Sequence, residues 1–228
     1  MPRRGTQLLL PTHRRGGRRD GAGRPKKPGS GVSHLTRPAL SRRHPVHVTL
    51  RVETSVGNLR RRAVRKAVYR AFAAGCDRFG FRLVHFSLQK NHLHLVCEAK
   101  DEHALAKGMQ GLSIRVAKTI NRAIDRGGRV FSDRYHVRAL KTPREVQRAL
   151  AYVLNNAQHH GEWHSPIDPC SSAALFTGWR PGIPLATDSL DELCEHGPPV
   201  AAARTWLLGI GWRRHGLLDP NLVPGRRA

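Results

Sequence analysis

Two apolar segments that are nearly adjacent in the sequence constrain the fold most strongly. Phe81–Leu88 and Asn91–Glu98 each have the composition of a short strand, and only two residues separate them. So short a connection predicts an antiparallel hairpin. The second strand is unusual because it carries His92 and His94 among apolar neighbours.

The segments before the hairpin predict a strand and a helix. His44–Val52 alternates as a strand, with its three valines and Leu50 on one face. Asn58 can then cap a helix whose apolar residues recur at steps of three and four: Leu59, Ala63, Val64, Ala67, Val68, Ala71 and Phe72. These steps form the apolar stripe that is typical of an amphipathic helix.

The segments after the hairpin complete a recognisable order. Glu102–Ile124 has helical spacing, and Arg129–Lys141 has the pattern of a fourth strand. Thr142 begins a third helix with a capping box and a proline at the first helical position, and we expect this helix to end near His160. The order predicts an α+β fold, a ferredoxin-like βαββαβ antiparallel sheet with an added C-terminal helix.

Both ends of the chain differ from this middle part. Residues 1–43 contain twelve Lys/Arg and one Asp without apolar periodicity, so we expect a disordered basic arm. Around Arg24 the arm resembles an AT-hook, which lies in the minor groove of A·T-rich DNA, although a solvated basic linker is the simpler alternative. We expect residues 44–161 to form the central domain and residues 162–228 a partly helical extension.

The charge balance points to a polyanionic partner. The formal net charge is +24 and the sequence pI is about 11.5, which favours nucleic acid. The sequence contains no apolar run of the roughly 18–20 residues that a membrane-spanning helix needs, so no membrane association is expected. Four widely spaced cysteines without a CxxC pair argue against a zinc ribbon or a disulfide framework and favour the cytoplasm.

Two pairs of residues carry the candidate chemistry. Side chains alternate across a strand, so His92 and His94 project to the same side and can converge on one cation, although partly exposed histidines would look the same in sequence. Tyr152 and Asn156 lie one helical turn apart on the third helix. The plain alternative for Tyr152 is an aromatic residue on the apolar face of that helix.

Four segments in this order resemble a known family. "HPVHVTLRV", "FSLQKNHLHLVCE", "RVFSDRYHVRALKT" and "ALAYVLNNAQHHG" are similar to the REP-associated tyrosine transposases, which belong to the IS200-like, single-tyrosine HUH transposases. The resemblance implies that Tyr152 is the nucleophile and that His92, His94 and Asn156 bind Mg²⁺ or Mn²⁺. The family usually has an Asn-Pro type sequence where this chain has Asn155-Asn156-Ala157, so either asparagine remains a candidate ligand.

The resemblance also implies a reaction and a substrate. The Tyr152 phenolate would attack a phosphate of single-stranded DNA beside an imperfect hairpin, release a 3′-hydroxyl and keep the DNA as a 5′-phosphotyrosine, ready for rejoining. Basic and aromatic residues near the proposed site are candidates for DNA binding, with a solvated charged rim as the alternative: Lys90, Arg129, Arg134, Tyr135, Arg138, Lys141 and Arg144, together with Arg24 in the arm.

Two other functions remain open from the sequence. One is a DNA-binding protein that keeps the fold and the arm but does not cleave, acting at palindromic repeats. The other is an RNA-binding module of the RRM type, which would need stacking aromatics on its central strands, and "NHLHLVCE" has none.

Overall fold

The computed structural model describes residues 39–159, 165, 167–182 and 187–222. The predicted basic arm, including Arg24, lies outside these residues apart from its last five. The strands are β1 (Val46–Arg51), β2 (Asp77–Arg78), β3 (Phe81–Leu88), β4 (His92–Ala99) and β5 (His136–Ala139). The α-helices are α1 (Arg62–Ala73), α2 (Glu102–Ala123), α3 (Pro143–Leu154), α4 (Asn156–His159), α5 (Thr187–Cys194) and α6 (Trp206–Gly209).

The strands form one antiparallel sheet in the order β2-β3-β4-β1-β5. Without the two-residue β2, the remaining four strands have the ferredoxin-like order, with the first and third strands along the chain at the centre. The predicted hairpin is formed by β3 and β4. The ferredoxin-like α+β fold expected from the sequence is therefore confirmed.

One face of the sheet is apolar and carries α1 and α2. In β1 and β4, Val48 lies opposite Leu95, so both side chains belong to this face. The α1 residue Phe72 packs edge-on against Phe86 of β3, with ring centroids 4.9 Å apart. An irregularity between Leu83 and His85 shifts the β3 alternation, a change that simple periodicity did not predict.

The other face of the sheet is more polar and carries α3 and the C-terminal extension. Buried contacts tie the extension to this face. Asp168 accepts two hydrogen bonds from the Arg60 guanidinium, at 2.8 and 2.9 Å, and only 3% of its side chain is exposed. At the far end of β4, the buried Glu98 carboxylate accepts bonds from Arg82 and from the backbone N–H groups of Arg204 and Thr205.

Two predicted boundaries were wrong. Helix α1 begins at Arg62 with Arg61 as its N-cap, and the Asn58 side chain instead accepts from the Arg60 backbone N–H in the preceding turn. Strand β5 covers only His136–Ala139 rather than Arg129–Lys141. The segment before it pairs with the end of β1 only at the isolated bridge between Val52 and Phe131, and the register shifts before Thr49 pairs with His136.

The third helix begins as predicted but is interrupted near its end. The Thr142 hydroxyl accepts from the Glu145 N–H and the Glu145 carboxylate accepts from the Thr142 N–H, which confirms the capping box. Helix α3 ends at Leu154, and Asn155 has φ −103° and ψ 10° before the short α4. Helical residues therefore continue to His159, close to the predicted end, and the unpredicted feature is the interruption at Asn155. No helix in the described ranges is both long and apolar enough to cross a bilayer.

Candidate active site

The histidine pair of β4 forms the centre of the site. His92 and His94 project from the polar face of the sheet, as the strand alternation predicts, while Leu93 between them is fully buried in the core. The two Nε2 atoms lie 3.0 Å apart, and His94 is only 4% exposed. His94 thus belongs to the interior, and His92 is half-buried beside it.

Hydrogen bonds fix which nitrogen of each ring is directed at its neighbour. The Asn91 side-chain oxygen lies 2.8 Å from His92 Nδ1, and because that oxygen can only accept, Nδ1 carries the proton. His94 Nδ1 lies 3.1 Å from His47 Nε2 and 3.2 Å from the Thr49 hydroxyl. The contacts at Nδ1 of both rings leave the facing Nε2 atoms as the natural ligand atoms.

His47 is a member of this cluster that sequence reasoning missed. Burial, followed by the positive charges of Arg138 and His136, lowers its pKa to about 4. The imidazole is therefore neutral near pH 7 and can accept a hydrogen bond from His94. The alternation of β1 already placed His47 and Thr49 on the non-core face, but only the pairing of β1 with β4 brings them to His94.

Tyr152 reaches the histidines from α3. Its ring packs edge-on against His94, with centroids 5.1 Å apart, and against His47 at 5.9 Å. Burial raises the pKa of its phenol above the ordinary value of 10.0. The structure thus brings the predicted nucleophile and the predicted histidine pair together, although Tyr152 follows His94 by 58 residues in the sequence.

The two asparagines that follow α3 have different surroundings. Asn155 Nδ2 donates to the carbonyl groups of Asp219 and Leu222, at 2.9 and 3.0 Å. Asn156 is fully buried, and neither its amide nitrogen nor its amide oxygen has a hydrogen-bond partner within the described residues. A buried amide without partners is costly, so this position is suited to a ligand that completes it.

Comparison with known proteins identifies the family. Residues 41–156, which carry all of these side chains, match the family model described as transposase IS200 like. The chain belongs to the IS200-like transposase family. This confirms the family expected from the sequence and places the chain among the DNA transposases.

Two solved structures are similar to this IS200-like transposase over much of their own length. One is a REP-associated tyrosine transposase bound to a REP hairpin, with 12% identity, a TM-score of 0.48 and coverage of 76% of this chain and 93% of that chain. The other is a putative transposase from Deinococcus radiodurans R1, with 17% identity, a TM-score of 0.36 and coverage of 51% and 86%. No curated protein matches the chain.

The residues of the transposase site fit a divalent cation. Two ligand atoms in adjacent positions of an octahedral ion, with bonds of about 2.1 Å, lie about 3.0 Å apart, and the Nε2 atoms of His92 and His94 have that separation. The partnerless amide of Asn156 offers an oxygen ligand. The described ranges contain no group of three or more His, Cys, Asp or Glu side chains suited to a metal ion.

The predicted DNA-binding residues fall into separate groups. Arg134, Arg138 and Lys141 line one cavity of about 570 Å³ beside the edge strand β5. Arg138 also lies opposite His47 in the β1–β5 pairing and forms an ion pair with Glu145 at 3.3 Å. The lining of the cavity also includes Val46, Leu105 and Val137, which belong to the apolar side of the sheet, so the cavity does not open on the face that carries the histidines.

The remaining candidates do not join this group. Lys90 is exposed in the turn between β3 and β4, and Arg144 is exposed in the first turn of α3. Arg129 lies 3.7 Å from Glu53 and donates to carbonyl groups of its own loop. Tyr135 is half-buried and packs against the core, so it is a poor stacking platform.

Proposed function

We propose that this transposase cleaves and rejoins single-stranded DNA through a covalent bond between the Tyr152 phenolic oxygen and a 5′-phosphate. The observation that supports this most strongly is the contact between Tyr152 and His94, 5.1 Å apart at the ring centroids, beside two imidazoles with facing Nε2 atoms. A nucleophile next to a candidate cation site is the arrangement that phosphoryl transfer requires. We propose residues 44–161 as the catalytic domain.

The chemical step follows from the protonation state of the phenol. Burial raises the Tyr152 pKa, so the phenol is neutral near pH 7 and loses its proton as it attacks. The bond from the phenolic oxygen to phosphorus forms while the bond from phosphorus to the 3′-oxygen breaks, and the proton ends on the released 3′-hydroxyl. The phosphotyrosine conserves the ester, so rejoining to another 3′-hydroxyl needs no ATP.

The histidines and Asn156 would hold the cation, Mg²⁺ or Mn²⁺. Such an ion, when bound, withdraws charge from the scissile phosphate and makes it easier to attack. His47, Thr49 and Asn91 act around it by holding the two imidazoles with Nε2 directed inward. Within the part of the chain that the structure describes, the side-chain oxygens of both asparagines are buried without a partner. We assign Asn156 as the ligand because its whole amide lacks partners there, whereas the Asn155 amide nitrogen is held by the C-terminal segment.

The substrate we propose is single-stranded DNA beside a hairpin. The net charge of +24 favours a nucleic-acid backbone, and the resemblance to REP-associated transposases indicates the hairpin. Arg138 is well placed to hold a phosphate next to the site because it neighbours His47 across the β1–β5 pairing and its side chain is 66% exposed. Arg134 and Lys141, which line a cavity beside β5 together with Arg138, are further candidates for phosphate contacts.

A covalent-adduct assay tests the proposal. Purified protein, hairpin-bearing single-stranded DNA and Mn²⁺ should give a protein–DNA adduct that survives denaturation and gel electrophoresis. Tyr152→Phe should abolish the adduct, whereas Tyr69→Phe, which removes a structural hydroxyl that donates to the Pro169 carbonyl, should retain it. A Tyr152→Phe protein that still forms the adduct sinks the proposal, and DNA binding without any adduct would favour the non-cleaving DNA-binding function.

A further inference from the structure

A second groove lies at the opposite end of the sheet from the histidines. We call it the distal groove, and its volume is about 690 Å³. It opens between the segment that precedes β1, the end of β4 and the C-terminal extension. The lining residues used below are Arg42, Arg43, Gly80, Lys100, Arg204 and Trp206. The matched family region ends at residue 156, so two of these six belong to the extension.

The distal groove is positively charged. Arg42, Arg43 and Lys100 are exposed, and within the described residues no carboxylate pairs with them. Arg204 lies 3.6 Å from Asp77, so that cation is partly balanced. The groove therefore keeps about three unbalanced positive charges, spaced along its length, which suits a polyanion more than a neutral partner.

The acidic groups nearest to this groove are engaged elsewhere. The Glu98 carboxylate is 1% exposed and is saturated by Arg82 and by the backbone of the extension. Asp101 caps α2 by accepting from the Ala104 N–H at 2.7 Å. Neither carboxylate is available to neutralise Arg42, Arg43 or Lys100, so the positive field at the surface persists.

Two aromatic side chains are exposed at the same place. Trp206 lines the groove with 48% of its surface exposed, and the Arg214 guanidinium lies over one face of its ring, 4.8 Å from the centroid, so a base would use the other face or displace this arginine. Phe79, next to the groove residue Gly80, is 83% exposed in a turn with φ 53°. Exposed aromatics beside cations are the means by which proteins bind unpaired bases, since each base offers a face for stacking.

The distal groove is well separated from the candidate active site. Strand β4 begins at His92 and ends at Ala99, beside the groove. Seven steps of about 3.4 Å place the two sites roughly 24 Å apart. A single strand with a stacked rise of about 3.4 Å per nucleotide would need about seven nucleotides to join them.

We propose that the distal groove binds an unpaired stretch of the DNA, with a base stacked on Trp206 and phosphates held by Arg42, Arg43 and Lys100. An unpaired strand is favoured over duplex because bases stacked inside a duplex have no free face for Trp206. The inference rests on the proposed function for its choice of DNA but not for any cleavage step. It gives the C-terminal extension a direct part in substrate binding.

Fluorescence anisotropy with labelled oligothymidine tests the groove without any cleavage. Loss of a stacking platform costs about 1–3 kcal/mol per base, so Trp206→Ala should weaken binding of a 40-nucleotide strand about fivefold or more. Trp206→Phe should stay within about twofold of wild type because Phe also stacks. Ile210→Ala is the matched control, since Ile210 is 64% exposed in the same segment and does not line the groove.

Salt dependence tests the charged part of the groove. Each phosphate contact contributes about 0.7 to the slope of log K against log salt for a single strand, so changing both Arg42 and Arg43 to alanine should reduce that slope by about 1.4. Arg122→Ala, an exposed arginine outside the groove, should leave the slope within about 0.3 of wild type. Equal slopes for the double variant and wild type would overturn the charged contacts.

The remaining outcomes separate the alternatives. If Trp206→Ala binds the strand like wild type, or if Ile210→Ala weakens binding equally, the distal groove is not a stacking site. If an oligouridine strand shows the Trp206 dependence and oligothymidine does not, the partner is RNA and the proposal is wrong. Binding of oligothymidine needs no adduct, so Trp206-dependent binding without adduct formation would refute only the cleavage proposal, and adduct formation without Trp206-dependent binding would refute only this one.

Discussion

The two neighbouring asparagines after α3 allow a sharp test of the site, because the structure gives them opposite roles. Asn155 is 2% exposed, and its amide donates two hydrogen bonds to the carbonyl groups of Asp219 and Leu222. Asn155→Ala leaves two carbonyls short of a donor, which at about 0.5–1.5 kcal/mol per bond should lower the free energy of unfolding by about 1–3 kcal/mol. For a domain of this size the melting temperature should fall by about 2–12 °C.

Asn156→Ala should behave in the opposite way. Its buried amide has no hydrogen-bond partner within the described residues, so removing it relieves a desolvation cost and should change the free energy of unfolding by less than about 1 kcal/mol. The loss should appear instead in metal dependence. We expect the Mn²⁺ concentration for half-maximal adduct formation to rise about tenfold or more, whereas Asn155→Ala should need about the same Mn²⁺ as wild type.

Thermal melts and a Mn²⁺ titration of adduct formation, carried out on both variants, complete this test. The reasoning is refuted if Asn155→Ala shifts the Mn²⁺ requirement while Asn156→Ala does not. It is refuted equally if Asn156→Ala unfolds the protein and Asn155→Ala has no effect on its melting temperature.

Three further predictions concern the stability of the fold. Asp168→Ala leaves the Arg60 guanidinium buried without its carboxylate and should cost about 3–5 kcal/mol in urea unfolding; a loss under 1 kcal/mol would contradict the buried pair. Gly108→Ala places a Cβ 2.1 Å from a Phe81 ring atom and should cost about 1–3 kcal/mol, whereas Gly127→Ala, with open space around it, should not. Burial lowers the His85 pKa to about 4, so the contribution of the neutral ring to the free energy of unfolding is complete above pH 6.5 and is lost as the pH falls from 6.5 to 4. His85→Asn should remove up to about 3 kcal/mol of that pH dependence in acid melts. Parallel stability curves for the variant and wild type would contradict this prediction.

Local signals in the sequence were sufficient for most of the fold. The two-residue connection predicted the β3–β4 hairpin, and the capping box at Thr142 predicted the start of α3, because both depend on neighbouring residues only. The alternation of β4 also placed His92 and His94 on one side. These features need no knowledge of distant contacts.

The features that the sequence did not reveal all depend on contacts between distant segments. His47 joins His94 only because β1 pairs with β4 in one register. Helix α3 ends at Leu154, and the amide of the next residue, Asn155, is held by carbonyl groups more than 60 residues away. The pairing of β1 with the β5 segment is interrupted between the Val52–Phe131 bridge and the Thr49–His136 pair, a register shift that strand periodicity does not record.

The central claim is that Tyr152 forms the covalent bond to DNA, and peptide mass spectrometry of the adduct tests it most directly. After nuclease trimming and proteolysis, the account predicts a 5′-nucleotide on the peptide that contains Tyr152. The same mass on a peptide containing Tyr69 or Tyr135 would contradict the account.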